Sequence, residues 1–197
     1  MVSGIIKYMK SCYKEGCKDC NLLKTRTQVV FEQNPVGARV LFVGDFPGKE
    51  EDLQGTPFVD LAGRQLRSNL LHVGIDPDMV AMGYIVACRP PDTRKPTVTE
   101  KNNCRKYLDE TILNSKFELI VLLGDIALKS FYPYSQGIKT VRGQFPKYFD
   151  KYGCRVFQTF HPSYLLHQDG IKDQPLFMKD MGTIAKFLDG SLKEVLV

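Results

Sequence analysis

Val40-Leu41-Phe42-Val43-Gly44-Asp45-Phe46-Pro47-Gly48-Lys49-Glu50-Glu51-Asp52 is the stretch from which the fold is read. Four apolar residues closed by a glycine predict a short strand buried on both faces, the first strand of a parallel sheet. The turn from Gly44 to Gly48 lets the backbone come close to a ligand at the carboxyl end of that strand, where open α/β sheets hold their sites. Asp45 presents a carboxylate there. Two readings fit it equally well: the N-cap of the next helix, or the acid of a site.

Three more apolar runs extend the pattern, Gly83–Cys88, Glu118–Leu123 and Arg155–Phe160. Between them lie helical spacings: Leu66, Leu70, Leu71 and Val73 on one face, then Tyr107, Leu108, Ile112 and Leu113 behind a cap at Thr97 or Thr99. Ile126–Phe131 and Met178–Leu188 read as further helices, and Ile5–Lys14 as another near the start. Four strands alternating with helices predict an α/β fold, a three-layer α/β/α sandwich around a central four-stranded parallel sheet. No repeat or linker divides residues 1–197, so one domain is expected. The rules of crossover hand and switch point bring the ends of strands one, two and four to one crevice. Asp45, Phe58, Tyr84 and His161 would then face one another.

The chain has 197 residues, 43% of them apolar, enough for one such domain with a real core. No apolar run approaches the ~20 residues of a membrane span. No signal-peptide core is read among the early lysines, so a cytoplasmic protein without a membrane partner is expected. Nothing calls for a second copy, and a monomer is expected. The net charge of +5 favours a polyanionic partner. Six cysteines in such a chain point to metal ligands or inert thiols rather than disulfides.

Cys17-Lys18-Asp19-Cys20 fits a redox pair, half a zinc site or half an iron–sulfur site. The redox reading wants a preceding strand that the sequence does not supply. Cys88, before Arg89-Pro90-Pro91, and Cys104, in a helix, provide a second pair of thiols and suggest a four-cysteine cluster. Cys12 and Cys154 are left over, Cys154 as a buried small residue.

The remaining signals sit in loops. Phe58 lies in a segment pinned by Gly55 and Pro57, either as a core plug or as a platform for a stacked base. Lys139 and Arg142 belong to a basic loop or hairpin over 136–144 and are within reach of phosphates. His161 ends the fourth strand and is held by Pro162 and Ser163; the other two of the three histidines, His72 and His167, lack such a setting. Leu165 and Leu166, read as exposed, suit a wedge into a base stack.

Taken in order, these motifs resemble family 4 of the uracil-DNA glycosylase superfamily, the iron–sulfur members. The resemblance runs from Cys17 to about Leu166. It rests on the C-x-x-C pair, Gly44–Gly48 with Glu50-Glu51-Asp52, Pro57-Phe58-Val59 with Ala62-Gly63, Cys88–Pro91, Cys104, Leu123-Gly124, Arg142-Gly143 and His161-Pro162-Ser163. It implies that Cys17, Cys20, Cys88 and Cys104 ligate a structural [4Fe–4S] cluster, half of it carried by the N-terminal segment 1–36; zinc on the same thiolates is the alternative. It also implies DNA as partner and a nucleotide flipped out of the stack. Phe58 would stack on the base, with backbone N–H groups around Phe46 near its O2. His161 would donate to that oxygen as the base departs, and Asp45 would position water or steady the cationic sugar. Arg142 and Ser163 would contact the DNA, while Leu165 and Leu166 fill the gap.

Three positions depart from the family pattern. Asp45 stands where the family usually has Glu, Tyr84 where Asn commonly reads the uracil edge, and Asp60 where Gly is usual. A phenol cannot reproduce the paired donor and acceptor of an amide, and buried readers decide specificity strongly. The expectation is therefore a glycosylase for a modified pyrimidine, 5-hydroxymethylated or glucosylated as in phage DNA, serving defence rather than repair. Ordinary uracil removal in base-excision repair is the second expectation, and a non-catalytic DNA-binding module the third.

Overall fold

A computed structural model describes residues 17–144 and 148–192. The helical reading of Ile5–Lys14 and the place of Cys12 lie outside the described residues. Four strands form the sheet: β1 (Val40–Gly44), β2 (Ala81–Tyr84), β3 (Leu119–Leu123) and β4 (Arg155–Thr159). They are all parallel, in the order β2-β1-β3-β4. The expected α/β sandwich with four parallel strands is therefore the observed one.

Alternation along each strand explains the two helical layers. Leu41, Val43, Ile120, Leu122 and Val156 face one side, against Tyr107, Leu108 and Ile112 of α3 (Val98–Asn114). Val40, Phe42, Leu119, Val121 and Phe157 face the other. There they meet Leu66 and Leu70 of α2 (Leu61–His72) and Phe177, Met181 and Ile184 of a long helix over Gln174–Leu188. Both faces of the sheet are covered, which is why its strands are apolar throughout.

Three boundaries differ from expectation. The second strand ends at Tyr84, not Cys88; beyond it Ile85 and Val86 still donate to the carbonyls of Gly44 and Asp45 (2.9 and 3.2 Å), but the ladder has ended. The 136–144 segment contains a short helix, Ile138–Val141, whose first N–H donates to Asp125 Oδ1 at 2.9 Å. The closing helix starts four residues early, with Pro175 in its first turn, where a missing N–H costs nothing. At α3 the cap is Thr97, in a capping box with Glu100. No described helix is long and apolar enough to cross a membrane.

In this order successive strands are added to one side of β1 and then to the other, so the winding reverses between β1 and β3. The crevice therefore opens between their carboxyl ends, with β4 beyond β3 and β2 on the far side of β1.

Candidate active site

A cavity of about 350 Å³ occupies that crevice, at the lower end of the range of about 300–1,000 Å³ usual for small-molecule sites. Asp45 lines it from just past β1, Gly124 and Asp125 from just past β3, and His161 and Tyr164 from the segment after β4, with Lys139 at the side. A larger cavity of about 480 Å³ beside Phe131 and Tyr132 has no carboxylate or imidazole in its wall.

Asp45 accepts the N–H of Ala127 at 3.0 Å, in the helix α4 (Gly124–Phe131) that follows β3 directly. Its carboxyl titrates above the ordinary value: burial lifts it, and the attraction of His161 offsets only part of that rise. The N-cap reading of Asp45 is not the observed one, since Gly48 caps α1 (Lys49–Gln54).

His161 is oriented by its neighbour. Its Nδ1 accepts the backbone N–H of Ser163 at 3.2 Å and lies 2.7 Å from the Ser163 hydroxyl. That assigns the proton of the neutral ring to Nε2. Nε2 is buried and has no partner among the described residues, a donor held ready for whatever enters the cavity. Ser163, expected on DNA, is placed here as the residue that fixes the imidazole.

The β2 side of Asp45 is closed. Phe58 and Tyr84 are only 2% and 5% exposed, and their rings stack with centroids 4.8 Å apart. The Phe58 N–H donates to the Tyr84 hydroxyl at 2.9 Å. A Cβ on Gly44, the register partner of Tyr84, would come within 2.8 Å of the Phe58 ring and 3.1 Å of the Tyr84 ring. Neither aromatic lines the cavity, so strand ends one, three and four converge rather than one, two and four. With its ring covered, Phe58 is not an open stacking platform in this arrangement.

Other expected site residues have local work. Asp60 caps α2, accepting the Gly63 N–H at 2.8 Å. The Phe46 ring packs against the core on the α3 side. Arg142 is not free for a phosphate: its Nε donates to Asp180 Oδ2 at 2.9 Å, and its Nη2 donates to Asp180 Oδ1 and, at 2.7 Å, to the Leu176 carbonyl. Leu165 is 3% exposed and belongs to the core, while Leu166 is 38% exposed. Both lie in a tight 3₁₀ turn, Pro162–Leu166, whose successive side chains point in different directions. An exposed leucine pair is thus replaced by one exposed leucine.

Residues 31–181 match the Uracil DNA glycosylase superfamily. The chain belongs to that superfamily. It is 36% identical over 173 residues to the type-4 uracil-DNA glycosylase of Thermotoga maritima, covering 87% of this chain and 89% of the relative. It is 35% identical to the type-4 uracil-DNA glycosylase of Sulfurisphaera tokodaii, covering 80% and 74%. A DNA polymerase of Bacillus phage SP01 is 32% identical over 78% of this chain, but only 16% of that polymerase is matched.

The superfamily resemblance directs attention to the cysteines. Cys88 and Cys104 are buried in the core on the α3 side, and Cys17 and Cys20 pack against it. Burial pushes the Cys88 thiol up and Cys104 up to about 12, and both feel the other cysteines of the four nearby. Arg26 brings a compensating cation, with Nη1 3.1 Å from Cys88 Sγ and Nη2 donating to the Cys17 carbonyl at 2.5 Å. Asp19, inside the C-x-x-C pair, accepts from the Tyr107 hydroxyl of α3 at 2.7 Å. Among the described residues, however, no three His, Cys, Asp or Glu side chains are already grouped to hold a metal ion. Four cysteines beside one arginine fit a thiolate-ligated group, whose binding would have to draw the four sulfurs together.

Sequence reasoning does not single out Glu51 as a functional residue. It is 1% exposed and accepts three backbone N–H groups, from Gly48, Val59 and Asp60. The signal for it is an acid three residues after a helix-opening glycine.

Proposed function

We propose that this DNA glycosylase hydrolyses the N-glycosidic bond of a pyrimidine turned out of DNA, leaving an abasic site. The observation that carries the reading is the pairing of Asp45 and His161 on the wall of one cavity at the switch point of the sheet. As the base leaves with negative charge on its carbonyl oxygen, the Nε2–H of His161 is the donor available to it. A donor of this kind is worth about 3 kcal/mol to the transition state. Asp45, ionised, steadies the positive charge developing on the sugar or orients the attacking water. Backbone N–H groups around Phe46 and the exposed Leu166 are assigned to the base and to the gap in the duplex, respectively.

Cys17, Cys20, Cys88 and Cys104 would hold a [4Fe–4S] cluster. Holding it, these cysteines would tie the N-terminal segment to the segment after β2 and to α3, with the Arg26 guanidinium beside Cys88 offsetting thiolate charge.

Uracil, the base in the names of the relatives, is the first candidate substrate. A modified pyrimidine, 5-hydroxymethylated or glucosylated, is the second. It is favoured by Tyr84, which covers Phe58 and offers no amide to a uracil edge. Duplexes carrying uracil, 5-hydroxymethyluracil or glucosylated 5-hydroxymethylcytosine, treated with the protein and then with alkali, decide between them. Scission is expected at one of these bases and is lost in His161→Ala, which keeps DNA binding. DNA binding without release of any base would overturn the reading and leave a binding module.

A further inference from the structure

We infer that Glu51 is a positioning residue of the glycosylase reaction, holding the Asp45 turn and the Phe58 loop as one body; this rests on the proposed function. An ordinary capping box would need only the Gly48 N–H, which Glu51 Oε2 accepts at 3.0 Å. Its other oxygen reaches across to a different loop, accepting from Val59 at 2.9 Å and from Asp60 at 2.8 Å. With the Phe58 N–H held by Tyr84, three consecutive amides of that loop are taken by side chains from two other elements.

This grip answers a local cost. Phe58 sits at φ +54°, the left-handed region that side chains other than glycine rarely adopt. A Cβ at Gly63 would lie 2.1 Å from the Phe58 carbonyl carbon, so the loop is also clasped from α2. On the opposite side of Glu51, Pro47 and Gly48 join the clamp to Asp45 through three peptide bonds. A carboxylate buried this completely is tolerated because its two oxygens meet three donors.

Two substitutions break the tie from opposite ends. Glu51→Gln exchanges one accepting oxygen for an amide that can only donate, so either the Gly48 N–H or both the Val59 and Asp60 N–H groups lose their partner, depending on how the amide is turned. Gly48→Ala would place a Cβ 2.7 Å from Glu51 Oε2 at a φ of −79° that alanine adopts freely, so it acts only by displacing the carboxylate. Asp52 is the matched control: 2% exposed, it accepts from Thr27 (3.0 Å) and Gln28 (3.4 Å) and ties down the N-terminal segment instead.

Single-turnover base release from a duplex carrying the base that the wild type removes, measured well below each variant's Tm, is the test. Glu51→Gln and Gly48→Ala are each expected to lose on the order of 10²-fold in rate with unchanged affinity for DNA, the cost of a small misplacement of reacting groups. The double variant should lose no more than the worse single one, because both break the same tie. Asp52→Asn should lower Tm while keeping the rate. Wild-type rates in both tie variants, or an equal loss in Asp52→Asn, would overturn the inference. Should the wild type release no base, the proposed function fails instead. Amide hydrogen exchange then tests the tie alone: Gly48, Val59 and Asp60 are protected in the wild type and at least one of them is exposed in Glu51→Gln, and equal protection of all three in both would overturn it.

Discussion

The Tyr84 hydroxyl accepts the backbone N–H of Phe58 at 2.9 Å while its ring lies stacked on the Phe58 ring. One residue thus holds the loop backbone and covers the aromatic face, and an asparagine at this position would be too short to do both. Tyr84→Phe keeps the ring and leaves the Phe58 N–H buried without a partner. A cost of about 1–3 kcal/mol in denaturant unfolding is expected. Tyr84→Asn uncovers Phe58, and its selectivity for uracil over 5-hydroxymethyluracil, measured as a ratio of release rates, should rise above that of the wild type.

Asp45 gives a prediction with opposite signs for activity and stability. Burial holds its folded pKa above the unfolded value, and the proposed mechanism uses the carboxylate. The acid limb of the rate profile should therefore lie above the ordinary carboxylate pKa of about 3.9. Between the unfolded and the raised folded pKa the native state binds more protons, so stability falls as pH rises through that window. Above the folded pKa the full penalty is present. Asp45→Asn keeps an oxygen for the Ala127 N–H. It should abolish base release and raise Tm near neutral pH, with no gain below the unfolded pKa.

Gly124 opens α4 at φ +86°, and a Cβ there would stand 2.9 Å from the His161 Cβ. Gly124→Ala therefore meets both a left-handed backbone and the side chain of His161. Strain of roughly 1–2 kcal/mol is expected in thermal unfolding. A loss of base release beyond that of an equally destabilised core variant would show that His161 has moved.

How much of this was legible depended on whether the deciding partner lay nearby in the sequence. Val40–Val43 and Leu119–Leu123 announce buried strands because every residue in them is apolar, and His161 is marked by the strand before it and Pro162 after it. Arg142 looked like a phosphate ligand because Asp180, its partner, lies 38 residues further on. Tyr84 and Phe58 belonged to the site only while β2 was placed on the cavity side of β1. Strand order is set by how the helices pack on the two faces, which no single stretch records. Leu165 and Leu166 were indistinguishable by type, and only the turn separates the buried one from the exposed one.

Arg142 and Lys139 lie three residues apart and should behave oppositely. The Arg142 side chain is 13% exposed and that of Asp180 2%, and Asp180 also accepts the Thr159 hydroxyl at 2.5 Å. Breaking such a pair leaves a buried charge uncompensated, so Arg142→Ala should cost about 3–5 kcal/mol in denaturant unfolding. Its DNA affinity should keep the wild-type salt dependence, because that cation is already neutralised within the fold. Lys139 is exposed at the side of the cavity, with its ammonium 5.3 Å from the Tyr164 ring centroid. Lys139→Ala should leave stability unchanged and reduce the slope of log affinity against log salt by about 1, the signature of a single phosphate no longer neutralised. A shallower salt slope in Arg142→Ala instead would return that guanidinium to the DNA and make its bond to Asp180 one that opens on binding.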